Sequence, residues 1–207
     1  MYAILDVGLC EARDLPPTRV LHAWLDAGVR LVQLRAKGLS LGPCLRLADE
    51  MAAECRRAGA IFIVNDRIDV GRLSGADGVH LGQTDLTPED ARAAWPEVAW
   101  IGLSTHNDEQ IAGAVESAAH YIAIGPVFAT STKTNPDPVV GIDGVRRASA
   151  LVRHDGRPLV AIGGIDLDAV ASVLEAGADS VAIASGLLGG TDLTARARAF
   201  LTAAGSI

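Results

Sequence analysis

Short runs of apolar residues recur along this chain, and each is followed by a longer amphipathic or alanine-rich segment. The runs have the length of buried strands, and the segments between them have the periodicity of helices. Parallel strands require a crossover between them, so this regular alternation predicts βαβ units. The predicted strands cover residues 2–6, 31–35, 61–65, 78–82, 100–104, 121–125, 158–163 and 180–184. The predicted helices cover residues 18–27, 40–58, 67–74, 87–95, 107–118, 142–153, 167–176 and 192–203.

Eight units of similar length predict an α/β fold, a closed (β/α)8 TIM barrel that forms one domain over residues 1–207. A doubly wound open sheet is the alternative, but eight near-equal units favour closure. Glycines in segments 26–29 and 175–179 end a helix just before a strand begins, as C-terminal caps do. The active site of such a barrel lies at the carboxyl ends of its strands.

Polar side chains follow nearly every predicted strand and are expected to meet at that end of the barrel. Asp66 and Asp85 follow the third and fourth strands, and two carboxylates of this kind hold Mg²⁺ that is bound to phosphate. Either aspartate alone would be typical of a turn. Cations, an amide and a hydroxyl on neighbouring strands predict a diphosphate beside the metal: Arg35, Lys37, Asn65, Ser104 and Lys133.

A second anion site is predicted late in the chain. Gly163 and Gly164 follow the seventh strand, and Ala184 and Ser185 follow the eighth. Small residues here let backbone N–H groups approach a phosphate at a helix N-terminus, although a tight turn would also require the glycines. The sequence has neither the dinucleotide nor the P-loop fingerprint, so a phosphate monoester is the expected ligand.

The middle of the barrel has two open interpretations. His80 lies within an apolar strand and is either a satisfied core histidine or, together with Gln33, a group that binds a nitrogen heterocycle. The polar segment 125–141 is expected to close over the site and exclude water, with an ordinary surface excursion as the alternative. His106 follows Ser104 and receives no role.

Composition narrows the class of protein. Hydrophobic residues make up 49% of the chain but aromatic residues only 4%, which indicates a core of aliphatic side chains. The net charge of -7 argues against a nucleic-acid partner. Cys10, Cys44 and Cys55 lack metal-site spacing and are expected to be free thiols in a reducing compartment. With neither a signal peptide nor an apolar run of about 20 residues, we expect a cytoplasmic protein without a membrane partner.

Taken in order, these residues resemble the thiamine phosphate synthase family. The resemblance extends from the second predicted strand to the eighth, and residues 2–6 also resemble the opening strand of the family. It lies in segments 33–37 (QLRAK), 64–67 (VNDR), 75–85 (GADGVHLGQTD), 102–106 (GLSTH), 125–128 (GPVF), 130–133 (TSTK) and 160–165 (VAIGGI).

The resemblance implies a transferase that condenses a hydroxymethylpyrimidine diphosphate with a thiazole phosphate and releases pyrophosphate by a dissociative route. It implies Mg²⁺ ligation by Asp66 and Asp85, and catalytic roles for Arg35, Lys37, Ser104 and Lys133. The implied pyrimidine diphosphate site is Gln33, Leu34, Arg35, Ala36, Lys37, Asn65, His80, Ser104 and Lys133. The implied thiazole phosphate site is Thr130, Ser131, Thr132, Gly163, Gly164, Ala184 and Ser185.

One departure from the family pattern concerns the orientation of Arg35. Ala36 stands where the family usually has an acidic residue between the arginine and Lys37. A thiazole tautomerase, a non-catalytic binding or regulatory protein of the thiamine pathway and a barrel acting on a phosphorylated sugar are the alternatives. Asp66, Asp85 and Lys133 together favour the synthase over the tautomerase, and the two carboxylates argue against the sugar-phosphate barrel. Retained affinity without turnover would identify the non-catalytic protein. Small-molecule substrates are expected, while thiazole carboxylation and assembly into a homo-oligomer are left open.

Overall fold

The computed structural model describes residues 1–130 and 137–205. Within these residues, parallel strands pair in chain order and the last strand pairs with the first, which closes a barrel. The predicted TIM-barrel fold is therefore confirmed, whereas a single domain over 1–207 stays a prediction. The strands are β1 (Tyr2–Asp6), β2 (Leu31–Arg35), β3 (Ile61–Asn65), β4 (Gly78–Leu81), β5 (Trp100–Thr105), β6 (Tyr121–Ile124), β7 (Leu159–Ile162) and β8 (Ser180–Ile183).

The helices follow the strands and form the outer layer of the barrel. None of those in the described part of the chain combines the length and the apolar character needed to span a bilayer. They are α1 (Val7–Glu11), α2 (Pro17–Ala27), α3 (Leu41–Arg57), α4 (Ile68–Ser74), α5 (Pro88–Ala94), α6 (Asp108–Val115), α7 (Gly141–Val152), α8 (Val170–Glu175) and α9 (Leu193–Ala203), with a 3-10 helix at Ser185–Leu188.

The two shortest of these helices, α1 and the 3-10 helix, were not predicted. Neither is long enough to show an amphipathic repeat in the sequence. A local contact accounts for α1, because the Asp6 carboxylate at the end of β1 accepts a hydrogen bond of 2.9 Å from the backbone N–H of Leu9. Asp6 is thus the N-cap of α1.

Strand side chains alternate between two buried environments. Those that point outward, such as Val32 and Phe62, pack with the helices in the main hydrophobic core. Those that point inward, such as Ile4 and Ile63, form a separate small cluster inside the barrel. The inner cluster also contains Tyr2 and Tyr121, which are both tyrosines of the chain.

Two aspartates, each in a copy of the same short sequence motif, clamp neighbouring strands together at the amino ends of the barrel strands. A Gly-Ala-Asp segment precedes β4 and another precedes β8. The Asp77 carboxylate accepts a hydrogen bond of 2.8 Å from Phe62 N, and that of Asp179 accepts one of 2.7 Å from Leu159 N. Each aspartate therefore satisfies a backbone donor at or near the start of the preceding strand.

Candidate active site

A cavity opens at the carboxyl ends of the strands. Its wall includes inward-facing strand residues, the loops after the late strands and the start of the 3-10 helix. Polar groups on one side of the cavity face glycines and small residues on the other. Its lining includes Gln33, Arg35, Asn65, His80, Ser104, Thr130, Gly163, Gly164, Ala184 and Ser185.

A chain of hydrogen bonds crosses the barrel beneath this cavity. The amide nitrogen of Gln33 donates to the Tyr2 hydroxyl at 2.7 Å, and the Tyr2 hydroxyl lies 3.0 Å from that of Tyr121. The Tyr121 hydroxyl lies 2.9 Å from Nδ1 of His80, whose Nε2 lies 2.8 Å from the Ser104 hydroxyl. Burial raises the pKa of both tyrosines, so each phenol keeps its proton.

The absence of a side chain at Gly102 makes this arrangement possible. Gly102 on β5 is in register with His80 on β4 and with Tyr121 on β6. A Cβ atom at Gly102 would overlap the Tyr121 hydroxyl and would stand 2.5 Å from His80 Nδ1. The His80–Tyr121 hydrogen bond therefore passes through space that only glycine leaves open.

Arg35 is oriented by a carboxylate from a neighbouring strand. Its guanidinium forms an ion pair with Asp6, and the two residues are in register at the ends of β2 and β1. Asp6 is buried and also caps α1, so it is held on both sides. This pair orients Arg35 in a chain that has Ala36 where the family usually has an acidic residue.

Two carboxylates meet at the ends of β3 and β4. Burial raises the pKa of Asp66, the adjacent Asp85 carboxylate raises it further, and the Lys37 ammonium at 3.4 Å opposes the shift. Asp66 has a φ of 63°, in the left-handed region that aspartate tolerates better than most residues. Asp85 accepts a hydrogen bond of 2.7 Å from Gly82 N, which fixes its position.

This pair of carboxylates fits a hard divalent cation. Two neighbouring carboxylates repel each other, and a cation between them is stabilising. The described residues contain no cluster of three or more Asp, Glu, His or Cys side chains suited to a metal. Mg²⁺ commonly binds through one or two carboxylates with substrate phosphates and water as its other ligands, so Asp66 and Asp85 are sufficient.

Close packing explains the glycines after β7. Phe128 N donates to the Gly163 carbonyl at 2.9 Å, and a Cβ at Gly164 would stand 2.8 Å from the Phe128 carbonyl carbon. Both glycines also have positive φ values, 99° and 67°. Packing alone thus requires glycine here, and the case for a phosphate rests on the position of the pair beside the 3-10 helix in the cavity wall.

A side chain from α9 holds that 3-10 helix in place. Arg196 Nε donates a hydrogen bond of 2.9 Å to the Gly186 carbonyl, and its guanidinium lies over the Phe200 ring at 4.9 Å. This contact could not be predicted from the sequence, because Arg196 lies in an ordinary amphipathic helix.

Backbone hydrogen bonds join the two ends of the segment after β6 and form a narrow neck where it leaves the barrel. Val140 N donates to the Pro126 carbonyl at 2.9 Å, and Gly141 N donates to the Val127 carbonyl at 3.2 Å. His106 lies beside the neck, with Nδ1 2.5 Å from the Gly125 carbonyl and Nε2 3.3 Å from an Asp137 carboxylate oxygen. His106 therefore joins the end of β5 to both ends of the segment.

The whole chain was compared with known proteins. A model described as thiamine monophosphate synthase matches residues 1–187. The chain belongs to the thiamine monophosphate synthase family. The thiamine-phosphate synthase of Methanoregula boonei is 45% identical over 171 residues, which are 83% of this chain and 78% of that protein. That of Koribacter versatilis is 45% identical over 188 residues, 88% of this chain and 85% of the relative.

A solved structure agrees with these relatives. The thiamine phosphate pyrophosphorylase from Pyrococcus furiosus superposes with a TM-score of 0.88 at 29% identity, covering 99% of this chain and 94% of the other. As a thiamine monophosphate synthase family member, the chain is a transferase with small-molecule substrates, and thiamine-phosphate synthase is its activity. The resemblance seen in the sequence is confirmed, and the tautomerase and binding-protein alternatives are not favoured.

Most site residues inferred from the family resemblance surround one end of the barrel. Lys37, Asp66 and Asp85 meet at its rim outside the cavity lining, next to Asn65. Leu34 packs outward in the main core and Ala36 packs against that core, and neither lines the cavity. The predicted roles of Ser131, Thr132 and Lys133 lie outside the described residues. The site assignments as a set stay predictions.

Four residues that contact the site residues or the 3-10 helix were not predicted from the sequence. Asp6, Tyr2 and Tyr121 act on named site residues, and Arg196 acts on the 3-10 helix. The inward positions of Tyr2 and Tyr121 within strands are the one signal available, since a polar ring inside a narrow barrel needs a hydrogen-bond partner.

Proposed function

We propose that the chain joins 4-amino-5-hydroxymethyl-2-methylpyrimidine diphosphate to a thiazole phosphate, giving thiamine phosphate and pyrophosphate. One observation supports this most directly. The cavity separates a charged rim of paired carboxylates and cations from a wall of glycines and a 3-10 helix, with a polar chain between them. That layout provides one place for a diphosphate, one for a ring and one for a second phosphate.

The charged rim is the proposed diphosphate site. Asp66 and Asp85 would hold Mg²⁺, which when bound neutralises charge on the diphosphate. Arg35, kept in place by Asp6, and Lys37, next to Asp66, are positioned to contact the outer phosphate oxygens. Asn65 and Ser104 line the cavity between this rim and the ring site, and we assign Lys133 to the same diphosphate.

Charge stabilisation on the leaving group is the proposed catalytic device. The bond between the pyrimidine methylene carbon and the diphosphate oxygen breaks, and the electron pair leaves with the diphosphate. The thiazole nitrogen then donates its lone pair to the pyrimidine-methyl cation and forms the new C–N bond. A ring nitrogen is already nucleophilic, so the reaction needs no general base.

The two substrates occupy opposite parts of the cavity in this proposal. Gln33 and His80 hold the aminopyrimidine, while the backbone at Leu34 and Ala36 supports the diphosphate side. Thr130, Gly163, Gly164, Ala184 and Ser185 line the opposite wall, where the thiazole phosphate binds. Ser131 and Thr132 are assigned to the same phosphate.

The cytoplasm is the proposed location. Cys10, Cys44 and Cys55 are free and buried, which suits a reducing compartment. The absence of a nucleic-acid or membrane partner, and assembly into a homo-oligomer, stay predictions.

Pyrophosphate release by the purified protein tests the proposal. We expect release only when both substrates and Mg²⁺ are present, with thiamine phosphate formed in equal amount. A folded protein that binds thiazole phosphate but releases no pyrophosphate would overturn the synthase function and point to the tautomerase. Turnover that persists in a chelator would overturn the Mg²⁺ dependence alone.

A further inference from the structure

Both tyrosines of the chain lie inside the barrel, and the direction of their hydrogen bonds can be worked out. Tyr2 is 1% exposed and Tyr121 is 7% exposed, so bulk water does not satisfy either hydroxyl. Among the described residues, the Tyr2 hydroxyl has two partners, Gln33 and Tyr121. Leaving a buried hydroxyl hydrogen without an acceptor destabilises the fold, so the arrangement that pairs every hydrogen is favoured.

The Gln33 end of this chain of hydrogen bonds fixes the direction in which every member donates. The Gln33 amide nitrogen donates to the Tyr2 oxygen, which leaves Tyr121 as the acceptor for the Tyr2 hydrogen. Tyr121 in turn donates its own hydrogen to His80 Nδ1. His80 therefore has its proton on Nε2, from which it donates to the Ser104 oxygen at 2.8 Å.

The opposite direction leaves a buried hydrogen without a partner. If His80 had a proton on Nδ1, either as the other tautomer or as an imidazolium, Tyr121 would accept from it and would donate to Tyr2. The Tyr2 oxygen would then accept two hydrogen bonds, and its own hydrogen would have no acceptor among the described residues. The neutral Nε2–H tautomer of His80 avoids this cost.

The consequence falls on Ser104, which lines the cavity. A serine hydroxyl can accept or donate, and beside a neutral histidine protonated only on Nδ1 it would have to donate to the bare Nε2. Here its oxygen accepts from His80, so its hydrogen is directed to an acceptor in the cavity. As a donor, Ser104 can stabilise the negative charge that develops on a departing diphosphate, which it could not do as an acceptor.

We propose that Tyr121 is a positioning residue that acts through His80 to keep Ser104 a hydrogen-bond donor to the diphosphate leaving group. The proposal rests on the proposed function, since it names the group that Ser104 serves. Tyr121 is absent from the residues that line the cavity, and among the described contacts it is His80 that connects it to Ser104.

A matched pair of variants tests the role. Tyr121→Phe and Tyr2→Phe each remove one buried hydroxyl, so a packing role predicts similar losses of Tm and activity. Under the proposal, Tyr121→Phe frees His80 and Ser104 to reverse, and kcat falls about tenfold or more. Tyr2→Phe leaves the Tyr121–His80 bond in place and lowers kcat by about threefold at most. The KM for thiazole phosphate stays unchanged in Tyr121→Phe.

A double-mutant cycle and a spectroscopic measurement complete the test. Ser104→Ala added to Tyr121→Phe should cause little further loss, because both changes remove the same donor. The ¹⁵N shifts of the His80 ring should show the Nε2–H tautomer in the unmodified protein and in Tyr2→Phe. Additive losses, equal losses in the two phenylalanine variants, or a His80 protonated at Nδ1 would each overturn the proposal.

The readouts keep this proposal apart from the proposed function. If the unmodified protein makes no thiamine phosphate, the proposed function fails, and with it the role of Ser104 towards a diphosphate. If it turns over normally and the two phenylalanine variants behave alike, only the role of Tyr121 fails. The ¹⁵N measurement needs neither turnover nor a variant that folds.

Discussion

At the scale of single residues, the pairing of Asp66 with Asp85 suits the proposed metal site but destabilises the fold when no metal is bound. Without a metal ion, burial raises the pKa of Asp66, and repulsion from the Asp85 carboxylate raises it further. Lys37 offsets only part of the repulsion, since 60% of its side chain is exposed and solvent screens its charge. The repulsion at such a site is relieved when a proton binds, when one aspartate is replaced by a neutral residue or when a metal ion binds.

The first prediction follows from that relief. Asp66→Asn should raise the Tm of the metal-free protein at neutral pH, because it removes one of two repelling charges. We expect Mg²⁺ to raise the Tm of the unmodified protein, and the same change should abolish this rise. Asp49→Asn, on the exposed face of α3, is the control and should leave the Mg²⁺ response intact. An equal Mg²⁺ response in Asp66→Asn and the control would refute metal binding at Asp66.

The pH dependence of stability provides a second prediction. A carboxyl whose pKa is raised by folding binds its proton more tightly in the folded state than in the unfolded state. Its favourable contribution to stability is therefore present below the ordinary pKa of aspartate and is lost as the pH rises through the raised value.

Thermal unfolding of the metal-free protein across a pH series would measure this loss. The unmodified protein should lose stability relative to Asp66→Asn as the pH increases through the raised pKa, and saturating Mg²⁺ should reduce the difference. Parallel curves for the two proteins would show that Asp66 does not titrate in this way.

Asp6 has two separable roles, and a third prediction distinguishes them. Asp6→Asn keeps an oxygen that can cap Leu9 N but loses the charge opposite Arg35. It should lower kcat/KM for the pyrimidine diphosphate by about tenfold with a small change in Tm. Asp6→Ala should lose the cap as well and about a further 1 kcal/mol of stability. Equal kinetics in Asp6→Asn and the unmodified protein would exclude a role in orienting Arg35.

The sequence indicated which residues at strand ends lie close together, but not the contact between two tyrosines within strands. Asp66, Asp85 and Lys37 were predicted together because the carboxyl ends of parallel strands share one end of the barrel. Tyr2 and Tyr121 meet across 119 positions of sequence. Their contact depends on how far each strand is shifted along its neighbours, which periodicity does not reveal.

The strand clamps belong to the scale of elements. Asp77 and Asp179 occupy equivalent places before β4 and β8, and each accepts from a backbone N–H on the strand before its own. A fourth prediction is that Asp77→Ala and Asp179→Ala each lower the free energy of unfolding by about 1 kcal/mol, since a hydrogen bond to backbone is lost. Both variants should keep the kcat of the folded protein, because the clamps lie at the opposite end of the barrel from the site.

Chemical denaturation with a matched pair checks this prediction. Asp77→Asn and Asp179→Asn retain a side-chain oxygen and should recover part of the loss. Aspartate-to-alanine variants as stable as the unmodified chain would show that solvent replaces the clamps without cost.

The boundaries of the first four strands were predicted closely from the pattern of apolar residues. The structure confirms the limits of β1, β2 and β3, while β4 ends at Leu81, one residue before the predicted limit. Gly82 leaves the strand because its N–H bonds to Asp85. The 3-10 helix was missed because a single turn has no repeat, and contacts such as that of Arg196 with Gly186 stabilise it from outside its own sequence.

At the scale of the whole molecule, the count of units determined the fold. Eight apolar runs with a helix between each pair leave few arrangements, and closure removes the exposed edges that an open sheet would keep. The number of units could not predict the interior of the barrel. There, the missing side chain at Gly102 leaves the space in which Tyr121 and His80 meet.

The closure of the barrel also affects how the chain is made. β1 is joined to β8 through two residue pairs, Tyr2 with Ala182 and Ala3 with Ile183. A ribosome releases β1 when most of the chain is still unsynthesised, so the nascent protein presents an unpaired edge until β8 emerges. Tyr2 would be exposed during that interval, and the catalytic pocket cannot form before β8 emerges. Chaperone dependence and quality control should therefore act on the step in which β8 pairs with β1.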